Sequence, residues 1–274
     1  MSAPAIVSFS KFTSFSQEIA ALESIRMSRR SQITDYPKIS VLISTLRPDD
    51  LTGLLKQLLN QTLPTFDLVL GLHTIDLNAE HKALIAKLKR RNVATVVKKF
   101  DSSFNLGLIL TALAKESKGE FIAKMDDDDY YGPEHLRDLV DTAIATGADV
   151  VGRAMNYVYL EPLQLTVRRF APHGTQAVEL WSDWVCGGTI LARREKAEAA
   201  GWFGAGSTAV DRFLLSGIVN NGGKIWRTFG AGYIYRRTFT FHTYVTNYSK
   251  YLNGANEQVV GIWNHPIFGE DKSL

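Results

Sequence analysis

Residues 124–133 read Lys-Met-Asp-Asp-Asp-Asp-Tyr-Tyr-Gly-Pro, and this stretch decides how the rest of the chain is interpreted. Four adjacent carboxylates repel one another, and a hard divalent cation would account for such a cluster. The apolar run Glu120–Met125 before them predicts a buried strand, and Pro133 opens a helical pattern. The aspartates therefore follow the carboxyl end of a strand, where open α/β sheets bind ligands. The alternative is a solvated acidic turn.

The composition is that of an ordinary globular protein of one large domain or two small ones. Of the 274 residues, 45% are hydrophobic, which supports a core, and the net charge of +3 is too small to indicate nucleic-acid binding. Cys186 is the single cysteine, so an intramolecular disulfide framework is excluded and a reducing, cytoplasmic setting fits. No apolar run is long enough to span a bilayer, and the N-terminus lacks a signal-peptide pattern.

Residues 1–38 read as an N-terminal extension that carries one short amphipathic helix. Three arginines, Arg26, Arg29 and Arg30, follow its apolar positions. A basic amphipathic segment can bind peripherally to a membrane surface or to a partner. The favoured alternative is a solvated helix that packs on the main domain.

From residue 39 onward, predicted strands alternate with helical patterns. The strands are predicted at 39–45, 66–72, 94–97, 120–125 and 149–152. Such alternation predicts a mostly parallel sheet with helices on both faces. Right-handed crossovers bring the carboxyl ends of the strands to one edge, so we expect one crevice lined by the aspartates and by Thr45, Arg47, His73 and Asn105.

Beyond Arg153 the pattern changes to short antiparallel strands, predicted at 157–160 and 165–167. A stretch rich in tryptophan and glycine follows, from Trp181 to Thr189, and a helix is predicted over 211–221. The tryptophans of this half either stack on a sugar ring of an acceptor or pack in the core. They are Trp181, Trp184 and Trp202.

The order of these motifs resembles the family 2 glycosyltransferases, which have the GT-A fold. The resemblance covers Ile39 to Thr243 and rests on motifs that occur in the family's order. They are Ser44-Thr45-x-Arg47-Pro48, Asn105-x-Gly107, Lys118-Gly119-Glu120-Phe121-Ile122, Asp126-x-Asp128-Asp129 with Pro133, Gly187-Gly188-Thr189 before Gly201-Trp202-Phe203, and Val210-Asp211-x-x-Leu214.

The resemblance implies an α/β fold of the GT-A type, with a smaller antiparallel portion on the acceptor side. The glycosyltransferase domain would span 39–237, divided into a nucleotide-sugar half (39–129) and an acceptor half (130–237). The tail, 238–274, would be a lid over the donor site or a contact in a homo-oligomer. Ordering of that tail on binding donor and metal would exclude water.

The resemblance also implies site residues. The spacing to Pro133 selects Asp128 as a ligand of Mn²⁺ or Mg²⁺, and Asp126 serves either the metal or the donor ribose. Asp211 would be the catalytic base, and its alternative role is a helix N-cap. A nucleotide-diphosphate sugar, with a UDP-sugar favoured, would meet Thr45, Arg47, His73, Asn105, Lys124, Asp126, Asp127 and Arg236, and the acceptor would meet Trp184, Gly187 and Gly188.

Two departures from the family pattern leave roles open. An aspartate usually follows the second strand, whereas this chain has His73 there and no carboxylate until Asp76, so either residue is a candidate for the base contact. Arg236 either assists at the phosphates, together with Arg237, or ends a solvated strand. His242 is a third candidate metal ligand, a phosphate contact or a structural residue.

We therefore expect a metal-dependent inverting glycosyltransferase that acts on a hydroxyl acceptor. The acceptor could be a cell-wall polymer, a lipid-linked glycan, a protein or modified DNA. One alternative is a sugar nucleotidyltransferase, but residues 46–49 after the first strand are not the glycine-rich, basic loop that it needs. The other is a non-catalytic module that binds nucleotide sugars or glycans, against which the intact aspartates argue.

Overall fold

The computed structural model describes residues 14–238 and 247–269. The strands are β1 (Ile39–Thr45), β2 (Asp67–His73), β3 (Thr95–Phe100), β4 (Phe121–Lys124), β5 (Tyr130–Tyr131), β6 (Val150–Arg153), β7 (Tyr157–Leu160), β8 (Leu165–Arg169), β9 (Leu180–Ser182), β10 (Leu191–Arg193), β11 (Ile225–Thr228), β12 (Tyr233–Arg237) and β13 (Ala255–Val260). The helices are α1 (Phe15–Arg30), α2 (Pro48–Leu59), α3 (Ala79–Arg90), α4 (Leu106–Glu116), α5 (His135–Thr146), α6 (Arg194–Ala199), α7 (Val210–Asn220) and α8 (Ser249–Leu252). None of the helices within these ranges is long and apolar enough to cross a membrane.

The central sheet has eight strands in the order β3-β2-β1-β4-β10-β6-β11-β9. Neighbouring strands are parallel from β3 to β4 and between β6 and β11, while β10 and β9 run antiparallel to their neighbours. Helices α2, α3 and α5 cover one face of the sheet, and α4 and α7 cover the other. The predicted α/β fold with helices on both faces is confirmed.

Strand β3 is longer than the sequence predicted, because its apolar run stops at Val97. The strand continues through Lys98 and Lys99 to Phe100 as the edge of the central sheet. An edge strand needs only backbone hydrogen bonds to one neighbour, and charged side chains on it discourage pairing with other chains. Hydrophobic patterning alone therefore ended this strand too early.

A second sheet of five strands, in the order β13-β8-β7-β12-β5, provides the smaller, largely antiparallel portion. Strands β7 and β12 are its one parallel pair. Strand β13 pairs antiparallel with β8, so residues 255–260 belong to this sheet. The lid is predicted for the whole tail, 238–274, of which residues 239–246, including His242, and residues 270–274 lie outside the described residues.

Helix α1 packs on the main domain through charged pairs and one buried leucine. Leu22 is buried, and Arg26 binds both carboxylate oxygens of Asp138 on α5 at 2.7 and 2.6 Å. Arg30 reaches Asp141 on the same helix at 2.8 Å. Arg26 and Arg30 of the extension therefore pair with acidic side chains of the main domain.

A buried ion pair fastens the other face of α1 to the second sheet. The Glu18 carboxylate accepts hydrogen bonds from Arg168 Nε at 2.8 Å and from the Tyr157 hydroxyl at 2.7 Å. The side chains of Glu18 and Arg168 are at most 1% exposed. Removing one partner would leave the other charge buried without a counter-charge, which is costly. This pair therefore makes α1 an integral part of the fold.

Candidate active site

The aspartates follow β4 at the centre of the sheet. Leu42 of β1 lies opposite Lys124 of β4, and the backbone N–H of Met125 donates to Leu42 O at 3.1 Å. The carboxyl end of β1 therefore lies beside the acidic stretch. Thr45, the last residue of β1, donates from its hydroxyl to Asp127 Oδ2 at 2.5 Å.

Asp127 is held by the chain itself. Its side chain is 2% exposed, and it accepts from Thr45 and from the guanidinium of Arg47. Burial raises the pKa of Asp127 to about 6, although the hydrogen bond and the positive charge of Arg47 act against the rise. Thr45 and Arg47, which the sequence assigned to the donor, thus have a protein partner in Asp127.

The guanidinium of Arg47 binds two of the four adjacent aspartates. Its Nη2 binds Asp127 Oδ1, its Nη1 lies 2.9 Å from Asp128 Oδ2, and its Nε lies 3.4 Å from Asp50 Oδ2. Burial by itself lowers the pKa of Arg47, but these carboxylates outweigh it and the net shift is upward. Arg47 is therefore a cation at pH 7 and neutralises part of the acidic cluster.

Lys124 joins the acidic stretch to α7. Its side chain is 2% exposed, and its ammonium lies 2.7 Å from Asp126 Oδ1, 3.1 Å from Asp211 Oδ1 and 3.2 Å from Gly187 O. Burial lowers the pKa of Lys124, but the two carboxylates raise it by more than burial lowers it. The net pKa shift is upward, so the ammonium is charged. The ammonium donates hydrogen bonds to Asp126 Oδ1 and Gly187 O, and it forms an ion pair with Asp211.

Asp129 is fixed to β12 rather than exposed to a ligand. The Tyr233 hydroxyl donates to Asp129 Oδ2 at 2.6 Å, and the backbone N–H of Arg236 donates to Oδ1 at 2.9 Å. Burial, together with the nearby charges of Asp128 and Asp126, holds the pKa of Asp129 well above its usual range. The tyrosine contact could not be predicted from the sequence, because it joins positions 104 residues apart.

The turn from Gly187 to Thr189 packs directly on these carboxylates. A Cβ added to Gly187 would lie 2.1 Å from Asp211 Oδ2, and one added to Gly188 would lie 2.8 Å from Asp129 Oδ2 and 3.0 Å from Asp126 Oδ2. Real Cβ atoms do not approach that closely, so only glycine fits at 187 without movement of Asp211. The two glycines that the sequence assigned to the acceptor thus lie against the base candidate and the acidic stretch.

Asp211 lies in the first turn of α7, beyond a residue with left-handed backbone, Ala209 at φ 57°. Its side chain is 32% exposed, so a ligand can reach it. The preceding loop is tied to the start of α4, because Asn105 Nδ2 donates to Ala205 O at 2.7 Å. Asn105 also caps α4 by accepting from Leu108 N–H at 3.0 Å. Asn105 thereby anchors the loop that leads to Asp211.

Three of the expected contact residues lie farther from the aspartates or pair with other side chains. His73 ends β2, and β1 lies between β2 and β4 in the sheet. At ordinary strand spacing the axes of β2 and β4 are about 9 to 10 Å apart. The Arg236 guanidinium pairs with Glu161 at 2.5 Å and Asp50 at 2.9 Å. Asp76, the other candidate for the base contact, pairs with Lys99 on the surface.

The tryptophans differ in their availability to a ligand. Trp181 is 50% exposed and its ring meets that of Trp226 edge-on, with centroids 5.0 Å apart. Trp184 is partly buried against the core, and Trp202 is 5% exposed. Of the three, Trp181 therefore has the most surface free to stack on a sugar.

Asp126 and Asp128 are the carboxylates whose surroundings fit a hard cation. Asp127 and Asp129 each accept two hydrogen bonds from protein donors. Burial raises the pKa of Asp126, the charge of Lys124 opposes that rise, and repulsion from Asp211 and Asp128 adds to it. A divalent cation would relieve that repulsion, and oxygen ligands suit Mg²⁺ and Mn²⁺. Over the ranges that the structure describes, no three His, Cys, Asp or Glu side chains form a ready cluster for a metal ion.

Comparison with known proteins identifies relatives. A family model described as glycosyl transferase family 2 matches residues 40–200. No curated protein matches the chain. Among solved structures, S. aureus TarS 1-349 is 18% identical with a TM-score of 0.57, over 73% of this chain and 60% of that one. Its complex with UDP-GlcNAc is 19% identical with a TM-score of 0.56, over 76% and 62%.

The mannosyltransferase PcManGT from Pyrobaculum calidifontis, in complex with GDP-Man and Mn²⁺, covers more of the chain. It is 13% identical with a TM-score of 0.58, over 84% of this chain and 67% of that one. At these identities the likeness shows a shared fold, the GT-A type that the sequence predicted. The chain spans about 60% of the length of the TarS 1-349 structure.

Proposed function

The chain belongs to glycosyl transferase family 2, and from this we propose that it transfers a sugar from a nucleotide-diphosphate sugar to a hydroxyl acceptor, with metal assistance and inversion. The observation that carries the proposal is the Lys124 ammonium between Asp126 and Asp211. It brings a strand-end carboxylate suited to the donor and a carboxylate suited to base catalysis into one ion-pair network.

Asp211 is the base of this mechanism. Its carboxylate accepts the proton of the acceptor hydroxyl while the acceptor oxygen bonds to the anomeric carbon. The bond from that carbon to the phosphate oxygen breaks on the opposite side, and its electron pair leaves with the nucleoside diphosphate. This direct displacement inverts the anomeric centre. A positioned base contributes a factor of about 10² to 10⁴.

Lys124 is a positioning residue for this base. Its ammonium and the close-packed Gly187 fix one side of the Asp211 carboxylate, while the exposed side remains free for the acceptor. Through its bond to Asp126, Lys124 also positions a carboxylate proposed to serve the donor. Direct contact of Lys124 with the donor, which the sequence suggested, stays a prediction.

The metal role falls to Asp126 and Asp128, which would hold Mn²⁺ or Mg²⁺. Such an ion, when bound, neutralises the charge that develops on the pyrophosphate leaving group. Asp127 and Asp129 support this pair by fixing the turn, through Thr45 and Tyr233. The role of His242 as a further ligand stays a prediction.

The donor is proposed to be a UDP-sugar, and the acceptor a glycan, a lipid-linked glycan, a protein or another hydroxyl compound. TarS and PcManGT have been crystallised with UDP-GlcNAc and GDP-Man, which supports a nucleotide sugar for this chain. We propose that the acceptor approaches Asp211 along the Gly187–Gly188 turn. The exposed Trp181 is a better stacking platform for it than Trp184.

A turnover assay tests the proposal against its two alternatives. The protein is incubated in turn with UDP-glucose, UDP-N-acetylglucosamine, UDP-galactose and GDP-mannose, in Mn²⁺ or in EDTA and with or without pyrophosphate. The nucleotide products are then separated by anion-exchange chromatography. We expect slow release of nucleoside diphosphate, with water as acceptor, from one donor in Mn²⁺ only. Pyrophosphate-dependent formation of nucleoside triphosphate would favour the nucleotidyltransferase, and binding without turnover would favour the non-catalytic module.

Asp211→Asn is the decisive variant in that assay. The amide keeps the shape of the side chain but cannot accept the proton, so we expect turnover to fall by about 10² or more while donor affinity stays near that of the wild type. Glu195→Gln is the matched control, because Glu195 lies in the first turn of α6 as Asp211 does in α7. Turnover within a few-fold of the wild type in Asp211→Asn would remove Asp211 from the mechanism.

A further inference from the structure

The Arg47 guanidinium makes two unequal bonds to the acidic stretch. Its bond to Asp127 is buried, because the Asp127 side chain is 2% exposed. Asp127 also accepts a hydrogen bond from Thr45. Its bond to Asp128, from Nη1 to Oδ2 at 2.9 Å, is nearer to solvent, since the Asp128 side chain is 17% exposed. Breaking the outer bond therefore costs less than breaking the inner one.

The backbone of Arg47 is fixed by its neighbours, so only its side chain needs to move. Its N–H donates to Thr45 Oγ1 at 3.0 Å, and Pro48 begins α2 immediately after it. A third partner, Asp50, lies 3.4 Å from Nε. The guanidinium can therefore release Asp128 and still keep Asp127 and Asp50 as counter-charges.

We propose that Arg47 is a competing cation for the metal site: its Nη1 arm occupies Asp128, and a divalent ion must displace that arm to gain the carboxylate. The inference rests on the proposed function, in which Asp128 is a metal ligand. The planar guanidinium serves the two carboxylates from two separate nitrogens, Nη2 and Nη1, whereas a lysine would bring a single nitrogen. The competition lowers metal affinity until the donor arrives with its own phosphate ligands.

Direct binding of Mn²⁺ without nucleotide tests the competition. Titration is followed by electron paramagnetic resonance for the wild type, Arg47→Lys and Arg47→Met. Arg47→Lys keeps the charge and can still pair with the buried Asp127, so it isolates loss of the second arm. We expect both variants to bind Mn²⁺ about fivefold tighter than the wild type or better, the size of one partly exposed ion pair.

Lys56→Met is the matched control for net charge. Lys56 lies on α2, the helix that Arg47 precedes, but pairs with Glu80 rather than with the aspartates. We expect its Mn²⁺ affinity to stay within about twofold of the wild type, because a distant exposed charge is screened. A parallel urea denaturation shows that each variant is folded under the conditions of the titration.

The failure of this inference differs from the failure of the proposed function. Mn²⁺ affinity in Arg47→Lys equal to or weaker than that of the wild type would overturn the competition and leave the function standing. An increase in Arg47→Met no larger than that in Lys56→Met would overturn it as well. Absence of Mn²⁺ binding in every protein, with UDP or GDP added or not, would overturn the metal-dependent function along with it.

Discussion

At the scale of single residues, Asp127 is one of the four adjacent aspartates, and it is held in place by protein partners while burial raises its pKa. Its carboxylate is buried, and the partners that compensate it, Thr45 and Arg47, come from the end of β1. Its role is thus to fix the turn beside the metal-ligand candidates. The sequence could identify the cluster of aspartates, but it could not tell which of them face inward.

The raised pKa of Asp127, about 6 against an ordinary value near 4, predicts a pH dependence of stability. Between these values the folded state holds a proton that the unfolded state has lost, so the free energy of unfolding falls as pH rises through that window. Asp127→Asn removes the dependence. We expect the unfolding free energy of the variant, relative to the wild type, to increase by about 2 kcal/mol between pH 4 and pH 7.

Urea denaturation of both proteins at closely spaced pH values measures this difference. Titrating groups far from Asp127 contribute equally to the two proteins and cancel. A difference that stayed constant across the window would show that Asp127 ionises normally in the folded state.

At the scale of elements, the turn from Gly187 to Thr189 positions the base candidate by contact. Gly187→Ala would force its new Cβ against Asp211, so we expect a loss of about 1 to 3 kcal/mol in unfolding free energy from overpacking. Most of that loss should disappear in an Asp211→Ala background, because the clashing atoms are then absent. Denaturation of the two single variants and the double variant measures this coupling.

Gly53→Ala is the control for that cycle. Gly53 lies inside α2, and nothing lies within 4 Å of the position its Cβ would take. Alanine should therefore stabilise the helix there by about 0.5 to 1 kcal/mol. Equal losses from Gly187→Ala with and without Asp211 would mean that the turn clashes with something other than the carboxylate.

Helix α1 is an element that the sequence set apart as an extension but that the structure joins to α5 and to the second sheet. Glu18→Gln leaves the buried Arg168 with Glu257 as its carboxylate partner among the described residues, and the Glu257 side chain is 32% exposed. We expect the unfolding free energy to fall by about 3 kcal/mol, the lower end of the cost of breaking a buried pair. Glu23→Gln, at an exposed position of the same helix, should change it by less than about 0.5 kcal/mol.

Both proteins unfolded in urea under identical conditions give this comparison. A loss in Glu18→Gln as small as that in Glu23→Gln would show that α1 is attached only loosely and that its buried charges contribute little.

At the scale of the whole molecule, the alternation of strands and helices and the family were predictable, because both depend on local patterns and ordered motifs. Strand β13 was not, since Val260 is 88% exposed and the strand exists through its pairing with β8. The contacts of Lys124 with Asp211 and of Tyr233 with Asp129 were also beyond prediction. They join residues far apart in the chain, and a single sequence carries no record of such pairs.

The central claim is that the carboxylates after β4 form a metal-dependent site for a nucleoside diphosphate. Calorimetric titration of UDP, and in parallel GDP, into the wild type and Asp128→Ala tests it most directly, with Mn²⁺ or with EDTA. We predict that one nucleotide binds the wild type in Mn²⁺, and that EDTA and Asp128→Ala each reduce its affinity by about tenfold or more. Equal affinity in Mn²⁺ and EDTA, or in the wild type and Asp128→Ala, would contradict the account.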